Sequence, residues 1–273
     1  MEPYIPRLNF VYPDKPDEHM LAIKVVREIV VDQNYPFLDK SLKFKFIRGV
    51  IYAAIFTLVF PLSALRFGLK IEGRNILRKY RKLLRNGAMT VSNHVHRWDF
   101  LFVLNAVRHR LMYFPAWKEN LNGPDGWLIQ AAGGIPVPDE IHTMKLFNQA
   151  FDEIHAKKKW FHAFPESSNF HYYYPIRPFK KGVFTMAHRY KLPVLPLGFS
   201  YRKPHFPFTL VNMVRSMRGI QKLPMVTVRI GEPLLFDETL SRKEAVQKMR
   251  KDCHDAIIRL AGVRDNPYPA EGD

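Results

Sequence analysis

The sequence predicts an α/β fold: a mixed, mostly parallel sheet flanked by helices, preceded by an N-terminal helical segment that interacts with a membrane. Three observations carry this. From Ala88 onward, short apolar runs alternate with helical patterns, the texture of an α/β sheet rather than a sandwich or a bundle. The longest uncharged apolar run, Gly49 to Leu65, lies just before that region. Directly after the run, Arg66 to Arg85 holds eight basic side chains against Glu72 alone, +7 of a net +17.

In chain order, Pro3, Pro6, Pro13 and Pro16 make the first sixteen residues an extended arm. Asp17 to Asp32 has Met20, Ile23, Val26 and Val30 near helical spacing behind leading acids, which predicts an amphipathic helix. A break around Pro36 precedes a second helix from about Leu42 to Leu69. Its apolar run is at the lower limit for a membrane span of roughly 17–25 residues, and Pro61 falls in its last turn. An apolar helix followed by a polybasic segment suits interfacial anchoring on an anionic membrane surface; the alternative is a buried helix with a solvated basic face.

The predicted strands are Ala88–Ser92, Leu111–Pro115, Ile135–Pro138, Trp160–Phe164, Val194–Phe199 and Val226–Ile230. Helices are predicted at Phe100–Arg108, Thr143–Lys158 and Lys181–Tyr190. A last helix opens with the capping box Ser241-Arg-Lys-Glu244 and runs to about Leu260. The division is 1–72 for the arm and membrane-associated helices, 73–262 for the α/β domain, and 263–273 for a polar tail.

Composition bounds the function. With 47% hydrophobic and 14% aromatic residues the chain can fill a core, which excludes wholesale disorder. One cysteine, Cys253, excludes an internal disulfide framework and any Cys-rich zinc module; mid-helix, it reads as an inert thiol. The positive charge attracts phosphate-bearing surfaces of any kind. The basic cluster has neither aromatic interleaving nor a recognition-helix pattern, so a nucleic-acid partner is not expected.

The segment most suggestive of chemistry is Val91-Ser-Asn-His-Val-His-Arg-Trp-Asp99. Within a regular helix, side chains five apart point about 140° away from each other. With His94 in a loop and Asp99 one turn into a helix they meet, and a carboxylate on one imidazole nitrogen makes the other a better base. No Ser or Cys stands in a nucleophile-elbow setting, so the imidazole would activate a substrate hydroxyl. Half a zinc site, His94-x-His96, lacks the further Asp and His of a two-metal pattern, and no metal is expected. A second block, Trp160-Phe-His-Ala-Phe-Pro-Glu166, delivers a carboxylate to a strand's C-terminal edge.

Asn93-His94-x4-Asp99, Lys118, Gly134-Ile-Pro-Val-Pro138, Phe164-Pro-Glu166, Phe179-Lys-Lys-Gly182, Leu192-Pro-Val-Leu-Pro196 and Ile230-Gly-Glu-Pro233 resemble, in order, the blocks of the glycerophospholipid acyltransferase family, which includes lysophosphatidic acid acyltransferases. The resemblance covers about Gly73 to Pro233. It implies acyl transfer from acyl-CoA or acyl carrier protein, without a cofactor, to the hydroxyl of a lysophospholipid-type acceptor, lysophosphatidic acid first among them. It also implies a membrane location at the cytoplasmic face. His94 would be the base and Asp99 its orienting group; Asn93, Arg97, Lys118, Glu166, Arg177, Lys180 and Lys181 would serve substrate binding. Relatives that take phosphate-bearing acceptors carry arginines where this chain has Pro138 and Asn169, and a Gly where it has Ser167. Either Arg177, Lys180, Lys181 or Arg97 compensates, or the acceptor lacks the phosphate. A catalytically impaired membrane adaptor of the same fold is the remaining alternative.

Overall fold

The computed structural model describes every residue except 1–3, 21, 109 and 272–273; Pro3 of the arm, Leu21 of the first predicted helix and the last two tail residues lie outside the described residues. Seven strands form one sheet: β1 (Lys70–Glu72), β2 (Met89–Ser92), β3 (Met112–Ala116), β4 (Gly134–Pro136), β5 (Trp160–Ala163), β6 (Val194–Arg202) and β7 (Met225–Ile230). Their spatial order is β1-β7-β6-β2-β5-β3-β4, and every pairing is parallel except β6 with β7.

Ten helices surround the sheet: α1 (Leu42–Ala54), α2 (Phe60–Phe67), α3 (Arg74–Lys79), α4 (Asp99–Val107), α5 (Lys118–Asn122), α6 (Gly126–Ala132), α7 (Ile141–Ala156), α8 (Gly182–Arg189), α9 (Phe208–Met217) and α10 (Arg242–Ala261). The alternation of side chains along a strand sends Leu195, Leu197, Phe199 and Trp160 into a core with α1, α2 and α4. Met89, Val91, Phe161 and Val194 go to a second core, under α7, α8 and α10. Gly198 in β6 is where α10 comes closest: a Cβ there would lie 2.5 Å from Leu260 Cβ.

All six predicted strands and the four later helices form, within a few residues. The apolar helix runs on as one 26-residue unit, Leu42–Phe67, long and apolar enough to cross a membrane, with an 18-residue stretch of mean hydropathy 1.9. A π-helical turn at Ile55–Val59 joins α1 to α2, just ahead of Pro61, which has no amide to donate back. Gly68, in the left-handed conformation, ends the helix at φ 53°. Its missing Cβ leaves room for Met225.

The helix predicted over Asp17–Asp32 does not form; its described residues are irregular. Its β-branched residues disfavour helix, and Asn122 satisfies its backbone outside one. The Val26 and Arg27 amides donate to the Asn122 carbonyl at 2.9 and 3.2 Å, and the Ile29 amide to its side chain at 2.9 Å. The arm, over its described residues, holds neither helix nor strand and reaches across to His171 and Ser168. The basic cluster is not one solvated block either: Arg74 donates to Asn105, Lys79 pairs with Glu232 and Lys70 with Glu72.

Candidate active site

Because β2, β3, β5 and β6 are parallel, the residues just after their ends collect at one edge of the sheet. His94 follows β2, Lys118 follows β3, Glu166 follows β5, and the loop to α9 follows β6. This is where open α/β sheets hold ligands.

Asn93 turns the chain off β2. It is buried, and its side chain brackets β6, accepting from the Phe199 amide at 2.8 Å and donating to the Phe199 carbonyl at 3.3 Å. That places it behind the site as a brace, not in contact with a substrate. His94 lies in the loop and Asp99 opens α4. One carboxylate oxygen, Asp99 Oδ2, accepts from the Val95 and His96 amides at 2.6 and 2.8 Å and lies 3.0 Å from His94 Nδ1. The α4 N-terminus favours a negative charge at that spot. The imidazole stacks on Phe164, 3.9 Å between ring centres, and its Nε2 has no hydrogen-bond partner among the described residues.

Glu166 is fully buried and fixes the loop from below. It accepts from the His94 amide at 2.8 Å, the Arg177 amide at 2.8 Å and the Arg177 guanidinium at 2.9 Å. Arg177 is buried as well, and both of its terminal nitrogens are taken. Nη1 donates to the Pro16 carbonyl at 2.7 Å and to Ser168 Oγ at 2.6 Å; Nη2 donates to Glu166 and the Ser168 carbonyl. Its face lies over Phe170. Arg177 is therefore a clamp inside the fold with both terminal nitrogens engaged, where the sequence reading expected a substrate-binding role.

Three of the other predicted cations are ion-paired. Arg97 pairs with Asp125, Lys118 with Asp139 at 3.6 Å, and Lys180 with Asp17 at 2.8 Å. Lys181 is exposed at the start of α8.

Three features escape the sequence reading. Asn169 Nδ2 lies 3.3 Å from His94 Nδ1. The arm walls the site: Tyr12 donates to the His171 carbonyl at 2.8 Å, His19 stacks on Trp117, and the His171 amide reaches Met20 Sδ. Around His94 also lies a set of imidazoles, the half-buried His96 and His171 stacked on each other and the buried His162 edge-on to Phe164. Asn169 had a local signal as a departure from the family pattern. The arm contacts join residues far apart in the sequence, 159 positions for Tyr12 and His171 and 151 for Met20 and His171, and had none.

Burial, and next the Arg177 guanidinium, push the His94 imidazole down to about 3. Burial also takes His96 and His162 down to about 3 and His171 to about 4. Burial raises the Asp99 carboxyl above its usual range, against the pull of the two amides. At neutral pH the His94 ring is thus uncharged, and the tautomer that donates its Nδ1 proton to Asp99 leaves Nε2 unprotonated at the sheet edge. That arrangement can take a proton from a hydroxyl and stabilise the imidazolium formed. Among the described residues no cluster of His, Cys, Asp and Glu has metal-binding geometry.

Comparison with known proteins bears on the family. The crystal structure of the 1-acyl-sn-glycerophosphate acyltransferase PlsC from Thermotoga maritima is similar over 80% of this chain and 90% of that one, at 18% identity and a TM-score of 0.49. A comparison with curated proteins finds no match. The family model described as Acyltransferase matches residues 69–200, a span that runs from β1 through the His94–Asp99 loop and Glu166 into β6. Over residues 69–200 the chain thus matches the family that its ordered blocks resemble.

Proposed function

We propose that this chain is an O-acyltransferase working at a membrane surface. It takes a fatty acyl group from the thioester of coenzyme A or acyl carrier protein and passes it to the hydroxyl of a lysophospholipid-type acceptor. Acyltransferase activity follows from the family; the donor, the acceptor and the residue roles are our reading. The observation that carries it is His94 Nδ1 on Asp99 at 3.0 Å with Nε2 unpartnered among the described residues at the sheet edge.

In this mechanism Nε2 removes the acceptor hydroxyl's proton as its oxygen attacks the thioester carbonyl. Asp99 stabilises the imidazolium across Nδ1. The tetrahedral intermediate collapses with cleavage of the C–S bond, and the imidazolium proton goes to the departing thiolate. The products are an ester and a free thiol. Glu166 and Arg177 act as positioning residues, since Glu166 holds the His94 amide and Arg177 holds Glu166. The membrane location, at the cytoplasmic face, is supported by the apolar Leu42–Phe67 helix and the basic side chains that follow it.

Lysophosphatidic acid is the first acceptor to test. An acceptor without a phosphate monoester is the second reading, favoured because Arg177 is spent on Glu166 and Asn169 is uncharged. Incubating the purified chain with labelled acyl-CoA and a panel of lysophospholipids, lysophosphatidic acid and neutral glycerolipids included, tests activity and acceptor together. We expect a labelled diacyl product with the native chain and none with His94→Ala. Equal product from both would remove the assignment.

A further inference from the structure

Helix α9 turns most of its apolar side chains outward. Of its residues only Phe208 and Asn212 are buried; the Asn212 side chain donates to the Leu223 carbonyl and accepts from the Leu223 amide, each at 2.9 Å, and Arg215 Nε donates to the Gln221 carbonyl. Its outward side carries Leu210, Met213, Val214 and Met217, at spacings of three and four that make one stripe, with Phe206 just before it. Met217 is 79% exposed and Phe206 74%. A water-soluble helix turns such a stripe to the core, and patches of this kind mark an interaction surface.

The stripe has neighbours. Helix α9 packs against α2, which leaves Leu62 and Leu65 exposed beside Leu58 of the π-helical turn. The two helices are held together at the sheet: Arg202, at the end of β6, donates to the Gly68 carbonyl at the end of α2. Between α9 and the arm lies a groove of about 630 Å³ lined by Tyr4, Leu8 and Met213 together with Arg7, Lys203 and Lys222. These three cations form no ion pair among the described residues. The α9 segment leaves β6 at the same sheet edge as His94, and Phe67 of α2 touches the His96 ring at 5.0 Å between centres.

We infer that α9 is a second lipid-binding element: its outward stripe enters an anionic bilayer beside α2, and Arg7, Lys203 and Lys222 take the lipid phosphates at the rim. Apolar side chains flanked by unpaired cations match the layered chemistry of such a surface. Docking through two helices at the sheet edge that carries His94 lets an acceptor pass from the bilayer toward the site. The inference rests on the membrane-surface reading above and adds to it.

The test uses the full chain with Met217→Cys carrying the environment-sensitive fluorophore NBD; Cys253 is fully buried in α10 and takes no label. On vesicles of phosphatidylcholine and phosphatidylglycerol the label should shift to the blue and be quenched by brominated lipid, while the same label at exposed Lys243 stays unchanged. The double variant Met213→Asp/Met217→Asp should keep its circular dichroism and bind these vesicles about tenfold more weakly. Wild-type binding with an unshifted label at position 217 and an undiminished double variant overturns the inference and leaves the membrane reading standing. Wild type that stays in the supernatant removes both. A lipid-free dimer lost in the double variant would assign the face to a second copy and overturn the inference too.

Discussion

Asp99→Asn separates charge from geometry at the site. The Val95 and His96 amides, at 2.6 and 2.8 Å, demand an oxygen where Oδ2 now sits. The asparagine carbonyl must therefore take that place and still face His94 Nδ1. Its amide nitrogen falls where Oδ1 lies, an atom with no hydrogen-bond partner, so no existing bond is broken. What disappears is the negative charge that would steady an imidazolium. With charge centres about 4 Å apart and an effective dielectric of about 20, that attraction is about 4 kcal/mol. A transition state that has developed half the charge loses about 2 kcal/mol. The turnover number should fall between about 30-fold and about 1,000-fold, with KM little changed and the unfolding free energy within about 1 kcal/mol of wild type. Product formation from labelled acyl-CoA, beside urea unfolding, measures both quantities. A folded variant whose turnover stays within about threefold of wild type would refute the base assignment for the dyad.

Three further outcomes follow from the same contacts. Glu166→Ala strips the buried Arg177 of its counter-charge and the His94 amide of its acceptor, so urea unfolding should show a loss of about 3–5 kcal/mol; a change below about 1 kcal/mol contradicts the clamp. His96 and His162 fall from 6.5 to about 3 on folding, so between those pH values the unfolded chain binds more protons than the folded one. Stability is then full above pH 6.5 and drops as the pH falls toward 3, by about 1.4 kcal/mol per pH unit for each histidine, and denaturant melts across that range would show no slope if the rings were not buried neutral. Gly198→Ala drives a methyl to 2.5 Å from Leu260 Cβ and 2.7 Å from the Ala261 amide nitrogen, which should cost about 1–3 kcal/mol in thermal or urea unfolding as α10 shifts; an unchanged midpoint would mean that α10 sits farther away.

How much was legible depended on the range of the forces involved. The central strands announce themselves because both faces are buried, so Val194 to Phe199 reads as an apolar run, while Val226 to Ile230 shows as an alternation around Thr227 and Arg229. Strand β1 is three residues, Lys-Ile-Glu, too short and too polar to show a period. Helix α9 escaped because it follows Pro204 and Pro207 in a stretch without strong helix-start signals. The Asp17–Asp32 segment misled by its spacing: period alone cannot see that Asn122, almost a hundred residues on, satisfies its backbone outside a helix. The pairing of His94 with Asp99 is local and was readable from loop and helix-start geometry. The fate of Arg177 was not, since a side chain near a carboxylate in sequence looks the same whether it faces a ligand or closes on Glu166.

The arm has a bearing on how the site comes into being. Its carbonyl at Pro16 is received by Arg177 and Ser168, at sequence separations of 161 and 152, and Tyr12 is seated on His171. Those receptors are made long after the arm itself, so the arm must wait, unplaced, until β5 and the loop after it exist. Closing such long loops is slow relative to local helix formation. The wall of the site should thus settle only after the loop that follows β5 has been made, and a chain halted before residue 177 would lack both that wall's receptor and the clamp on Glu166.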